Sequence, residues 1–280
     1  MSEDRLAFIG AGRITRILLC GLQRVGKLPG RVIVCDTDPA AVERLRSALP
    51  GCDIVPSSLR EAASLDTVFF ALHPPALPTA LTEMRGALRP DAILVSLAPK
   101  WTSATISAGL GGFDRIARAI PNAPSIVNRG YNPIAFAPAL PESEREQLRA
   151  LFSCWGTAPE VPERDLEAYA ILTAMGPTYL WYQLYELADL GRSFGLAPEA
   201  VTAALAAMVE GTSRTMSESG LSPADILDLV PVRPLAAIEP SVKEAYVTTL
   251  AGLYRKLTVT SEVAELHPPA LSQGELEREH

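Results

Sequence analysis

Residues 5–21 read RLAFIGAGRITRILLCG. A short apolar run, Leu6 to Ile9, meets Gly10-Ala11-Gly12, and an amphipathic segment follows with Ile14, Ile17, Leu18 and Leu22 on one face. This pattern predicts a strand, a glycine turn and a helix. Gly10 permits the tight turn, and Gly12 has no Cβ to hold a pyrophosphate away from the helix N-terminus. Unpaired N–H groups and the positive end of the helix dipole gather there and attract phosphate. Gly10, Ala11, Gly12, Arg13 and Ile14 are therefore the candidate cofactor-binding corner. The third fingerprint position is Thr15 in place of Gly or Ala, so the motif is incomplete, and an ordinary strand-to-helix turn is the alternative.

The next segment adds weight. Arg31 to Cys35 (RVIVC) reads as a second buried strand ending at Asp36. A carboxylate there suits a ribose diol and would repel a 2′-phosphate, which favours NAD(H) within the NAD(P)H class. Asp36 also has a reading as a turn or capping residue before Pro39, and both hold at once if Asp36 faces ribose while Asp38 caps the next helix. Arg13 and Arg16 lie close enough in sequence to reach a 2′-phosphate if the chain runs otherwise.

The chain has 280 residues, 48% of them apolar, enough for a substantial core and two domains. Its formal charge of −7, with no basic tract, argues against nucleic acid as a partner. No secretory leader pattern and no apolar stretch long enough to cross a bilayer is present, so a cytoplasmic home without membrane contact is expected. Cys20, Cys35, Cys52 and Cys154 lie far apart and read as buried thiols. Two of the three histidines, His267 and His280, fall in a polar tail, which leaves almost nothing for a histidine metal centre.

Strand and helix patterns alternate from Pro39 onward. Helices are expected at Pro39–Leu49, Ala76–Leu88, Thr102–Ala108 and Glu142–Trp155, and strands at Asp53–Val55, Thr67–Leu72, Ala92–Leu97, Arg115–Ile120, Pro133–Ala137 and Ala158–Val161. That is the signature of an α/β fold with a doubly wound parallel sheet. Ligands bind outside the carboxyl ends of such strands, so the loops at Gly10–Gly12, Asp36–Thr37, Leu72–Pro75, Ala98–Trp101 and Pro121–Pro124 should converge. His73 is either a cofactor neighbour or a loop residue capping a carbonyl, and Lys100 with Trp101 is either site or surface. Beyond Pro162 the pattern is helical: Ala168–Ala174, Thr178–Phe194, Pro198–Ser217, Pro223–Val230 and Glu239–Thr260. These helices are apolar nearly all round, which a lone surface helix would not be. The expected division is 1–162, a nucleotide-binding domain; 163–263, an all-α dimerisation and substrate domain; and 264–280, a flexible tail.

Three stretches together resemble the pyrroline-5-carboxylate reductase family, whose members reduce a cyclic imine acid to proline with a nicotinamide cofactor. They are IGAGRITRILLCGL, then RAIPNAPSIVNRG with Arg118, Pro121, Asn122, Pro124 and Gly130, and AMGPTYLWYQLYELADLGRSFGL with Gly176, Pro177, Tyr179, Glu186, Leu187, Asp189, Gly191, Gly195 and Leu196. Order and spacing agree over roughly residues 5 to 260. The resemblance implies a Rossmann domain followed by helices that build a homodimer and complete the site. It places Leu72, His73 and Pro74 beside the cofactor, with histidine where the family has lysine. It also exposes a departure. The family's Val-Thr-Ser-Pro-Gly-Gly-Thr-Thr-Ile loop, which holds the substrate carboxylate, is here Val230-Pro231-Val232-Arg233-Pro234-Leu235-Ala236-Ala237-Ile238. Two prolines remove N–H donors, and Arg233 either replaces them with a guanidinium or is an exposed rim residue.

The resulting expectation is a nicotinamide-dependent reductase of a small C=N substrate. Asn122 is the candidate for positioning nicotinamide or substrate, against a plain turn role. Tyr179 and Glu186, two helical turns apart, can share a face. Glu186 either pairs with a cationic nitrogen or anchors its helix. Tyr179, His73 and Lys100 are the available proton donors. A non-catalytic NAD(P)-binding dimer and a dehydrogenase of small hydroxy acids are the alternatives, the latter weakened by the lack of a lysine after Gly176.

Overall fold

The computed structural model describes residues 6–258. The expected tail at 264–280, with His267 and His280, lies outside the described residues, as do the last two residues of the helix expected to run to Thr260.

Strands β1 (Leu6–Ile9), β2 (Arg31–Cys35), β3 (Asp53–Pro56), β4 (Thr67–Phe70), β5 (Ile93–Ser96) and β6 (Ile116–Ala119) are parallel, and after the short β7 (Gly130–Tyr131), β8 (Ile134–Phe136) adds an antiparallel edge. The sheet order is β3-β2-β1-β4-β5-β6-β8. Winding therefore reverses between β1 and β4, which opens a crevice at their carboxyl ends. This is the expected doubly wound sheet.

Successive residues of β1 point to opposite faces. Leu6 and Phe8 join Phe69, Leu18, Leu22, Val34 and Trp155 in one core, while Ala7 and Ile9 join Phe70, Leu81, Leu94 and Ile106 in the other. Both cores are covered by helices: α1 (Arg13–Arg24), α2 (Pro39–Ala48) and α6 (Glu142–Ser153) on the first, and α3 (Leu59–Ala63), α4 (Leu77–Met84) and α5 (Ser103–Gly109) on the second. Phe8 stacks on Phe69 with ring centroids 4.7 Å apart. Trp155, fully buried, donates its indole N–H to the Leu18 carbonyl at 2.7 Å and so pins α1 from above. Gly21 is required there, because a Cβ would lie 2.7 Å from the Trp155 ring.

Element ends depart from expectation where side chains or prolines intervene. The short helix α3 was not anticipated; Ser58 caps it through the Glu61 N–H. No strand forms at Ala158–Val161, where one is expected: the two-residue β9 (Gly156–Thr157) lies just before it, and Glu160 makes only an isolated bridge to Ile134. Pro159 and Pro162 have no N–H to continue a ladder.

Beyond Pro162 the chain is helical. Helix α7 (Leu166–Tyr169) passes into a wide turn at Ala170–Ala174, closed by the Met175 N–H on the Ala170 carbonyl. Helices α8 (Gly176–Ser193), α9 (Pro198–Glu218), α10 (Pro223–Asp228) and α11 (Glu239–Thr258) follow. Leu166 and Ala170 pack on Ile120 and Ala135 at the edge of the sheet. The four long and short helices beyond bury almost nothing: Val201 is their sole buried side chain among the described residues. Trp181, Tyr182, Tyr185, Phe194, Met216 and Val247 stand exposed, Phe194 at 76%. Among the described residues no helix is long and apolar enough to cross a membrane, and no cluster of His, Cys, Asp or Glu could hold a metal ion. The four cysteines are free, half-buried thiols.

Candidate active site

The glycine corner is built by close approach. Gly10 has φ +109°, and a Cβ there would lie 2.6 Å from the Ala71 carbonyl oxygen, so the turn lets β1 pass against the end of β4. Gly12 is the reverse case, since its missing Cβ faces open space. It begins α1 with no side-chain cap, and no acid lies in the first turn. The N–H groups of that turn are therefore available to an anion.

Thr15, where the fingerprint expects a small residue, is fully buried and donates its hydroxyl to the Gly10 carbonyl at 2.6 Å. The unexpected residue thus locks the corner by tying its first glycine to the helix. Thr15→Val should cost about 1 to 2 kcal/mol, the worth of a buried hydrogen bond whose carbonyl is left unpaired. Urea denaturation of the variant measures this.

Asp36, at the end of β2, accepts from the Ala11 N–H at 2.6 Å and the Asp38 N–H at 2.8 Å. Its carboxylate holds the glycine corner and the β2–α2 turn together. Asp38 is the cap of α2, accepting from the Ala40 N–H at 2.9 Å.

An open cleft of about 650 Å³ lies over this corner, lined by Ala11, Gly12, Arg13, Ile14, Arg16, Ala41, Arg44, Leu45, Ala71 and His73. Four of the expected cofactor residues thus share one wall with His73. The His73 side chain makes no capping bond to the turn it precedes. Pro74 opens that single 3-10 turn, and Leu72 packs into the core beneath it instead of lining the cleft. Arg44 was missed from the sequence; its place on α2 in the lining of this cleft depends on the packing of α1 and α2, and nothing local announces it.

The remaining candidates lie elsewhere. Asn122 is buried with both ends of its amide engaged: Nδ2 donates to the Thr173 carbonyl, and Oδ1 accepts from the Tyr131 N–H, each at 3.1 Å. It stitches the loop after β6 to the wide turn before α8. Tyr179 donates its hydroxyl to the Ile171 carbonyl at 2.8 Å and meets Tyr246 edge-on, and burial pushes its pKa up. Glu186 is exposed on α8. Arg233 donates to the Glu239 carboxylate at 2.6 Å, which it holds below the usual carboxylate range. None of these four lines the cleft.

Arg118, named above only for its match, has a larger part. Its guanidinium, 1% exposed, meets Glu163 at 3.1 Å and Glu167 at 2.7 Å. Glu163 also accepts from the Ser103 N–H and hydroxyl, and Glu167 from the Lys100 N–H. Lys100, with φ +73°, thus serves the joint between sheet and helices through its backbone, and Trp101 packs into the second core.

A cleft of this size at the winding reversal, an uncapped helix end and a glycine without neighbours are the features of a Rossmann-type nucleotide-binding fold. Residues 5–100 match the family described as NADP oxidoreductase, coenzyme F420-dependent. The chain is 27% identical over 245 residues to the pyrroline-5-carboxylate reductase of Pseudomonas aeruginosa, covering 87% of this chain and 89% of that protein. It is 26% identical over 229 residues to the Escherichia coli protein of the same name, covering 81% and 85%. The crystal structure of the Plasmodium falciparum pyrroline carboxylate reductase, with NADP bound, superposes with a TM-score of 0.78 at 18% identity, covering 93% of this chain and 99% of that one. Over most of its length the chain is thus similar to pyrroline-5-carboxylate reductases. These relatives favour neither a non-catalytic protein nor a hydroxy-acid dehydrogenase.

Proposed function

We propose that this chain reduces the C=N bond of a small cyclic imine acid, of the pyrroline-5-carboxylate kind, with NADH as the favoured reductant. The observation that carries this reading is the open, uncapped Gly12 corner in a chain that aligns with pyrroline-5-carboxylate reductases over 87% of its length. The bound nicotinamide supplies the hydride. The chain's own residues bind, orient and exclude water. Gly10 to Ile14 hold the diphosphate, and Asp36 favours a ribose diol.

In this reading Asn122 acts by fixing the loop that borders the reacting centre, while Tyr179, Glu186 and Arg233 come from the helical region that closes over it. Arg233 exchanges Glu239 for the substrate carboxylate. Tyr179 holds its proton at Oη, now on the Ile171 carbonyl, and Glu186 faces a cationic nitrogen. The chain divides at residues 162 and 163, and two copies join through the exposed apolar faces of α8, α9 and α11 to form a homodimer in the cytoplasm. Supporting this, Tyr185, Phe194 and Val247 are exposed at 71%, 76% and 68%, and apolar side chains grouped on exposed helix faces mark interaction surfaces.

The test is oxidation of NADH by the purified chain on adding pyrroline-5-carboxylate, with native mass measured on the same sample. Turnover by a dimer is expected. Nucleotide binding without turnover would defeat the substrate assignment, and a monomer would defeat the assembly.

A further inference from the structure

We propose that the Asp38–Arg44 ion pair sets the choice between NADH and NADPH, by tethering beside the cleft an arginine that a 2′-phosphate would otherwise recruit. This rests on the reading of the cleft as a nicotinamide dinucleotide site. Among the described residues, three guanidinium groups line that cleft, those of Arg13, Arg16 and Arg44, and no carboxylate does. Such a wall suits a phosphate dianion, which an arginine fork can engage at two oxygens.

Asp36 is the residue that should oppose this. Both its oxygens are engaged by backbone N–H groups, Oδ2 by Ala11 and Oδ1 by Asp38. That bonding offsets part of its charge and fixes its orientation, so Asp36 alone is a weakened discriminator. Arg44 decides the remainder. Its Nη2 donates at 3.0 Å to Oδ2 of Asp38, whose Oδ1 meanwhile caps α2. Both partners are more than half exposed, at 64% and 53%, and a pair so exposed holds weakly. The Arg44 guanidinium and the Ala40 N–H keep the Asp38 carboxyl below its usual range, so the tether stays charged at neutral pH.

Asp38→Asn separates the two jobs of this residue. Asparagine caps a helix as well as aspartate does, so α2 persists while Arg44 loses its counter-charge. The dissociation constants of NADH and NADPH would be measured by cofactor fluorescence on the full chain, for the wild type, Asp38→Asn and Arg44→Ala. Relative to wild type, Asp38→Asn should move the ratio about tenfold toward NADPH, the worth of one charge-assisted hydrogen bond. Arg44→Ala should move it the other way. A folding defect would weaken both nucleotides together and leave the ratio alone. An unchanged ratio in both variants overturns the proposal while leaving the dinucleotide site standing. Failure of the wild type to bind either nucleotide overturns the site and the proposal together.

Discussion

Gly12→Ala is expected to fold and to lose most of its affinity for the dinucleotide. Gly12 has φ −73° and ψ −166°, a backbone that any residue adopts, and an added Cβ meets nothing within 4 Å. The cost to stability should be about 1 kcal/mol or less, the difference between glycine and alanine at a helix cap. The same methyl would stand where a phosphate oxygen must come within about 2.9 Å of the N–H groups of α1. Affinity for NADH should fall by roughly tenfold to a hundredfold, or about 1.4 to 2.8 kcal/mol. Urea denaturation and cofactor fluorescence on one preparation measure both quantities. Undiminished binding would mean that the diphosphate lies elsewhere. Gly10→Ala makes the useful contrast, since its Cβ would strike the Ala71 carbonyl and the fold itself would suffer.

Arg118→Met should destabilise the protein by about 3 to 5 kcal/mol, the usual result of removing one partner from a buried ion pair. Two carboxylates depend on this guanidinium, and both come from the segment that leads into the helices. Neutralising them restores balance, so Arg118→Met with Glu163→Gln and Glu167→Gln should recover part of the loss. Urea denaturation gives both values. A loss under about 1 kcal/mol for the single variant would show that the guanidinium is not what joins α7 to the sheet. The joint matters to function because Glu163 and Glu167 also bind the loop after β5. Asn122 adds a second tie, from the loop after β6 to the wide turn before α8.

The legible part of the fold was the part with short-range periodicity. The four-residue apolar runs of β1 and β4 and the five residues of β2 stand at their expected places, because strands buried on both faces need unbroken apolar sequence. Prolines blurred the ends. Pro159 and Pro162 kept the expected strand at Ala158–Val161 from forming beyond one isolated bridge, and the change from α7 to the wide turn at Ala170 has no periodic signal. Of the two glycines in the corner, Gly10 was readable because its positive φ and its close approach to Ala71 exclude a side chain, whereas nothing in the protein itself crowds Gly12. Thr15 looked like a flaw in the motif and is in fact its lock, a fact carried by one hydrogen bond to Gly10.

By itself, the sequence determined the alternation of strands and helices, the glycine turn between β1 and α1 and the likeness to pyrroline-5-carboxylate reductases, since these follow from local pattern and residue order. Only the tertiary structure decided that Arg44 lines the same cleft as Gly12, that Asp36 is held by two backbone N–H groups, and that Arg118 clamps sheet to helix. Those pairings join residues far apart in the chain, and their energies depend on distance and burial, which arise only once the elements have packed.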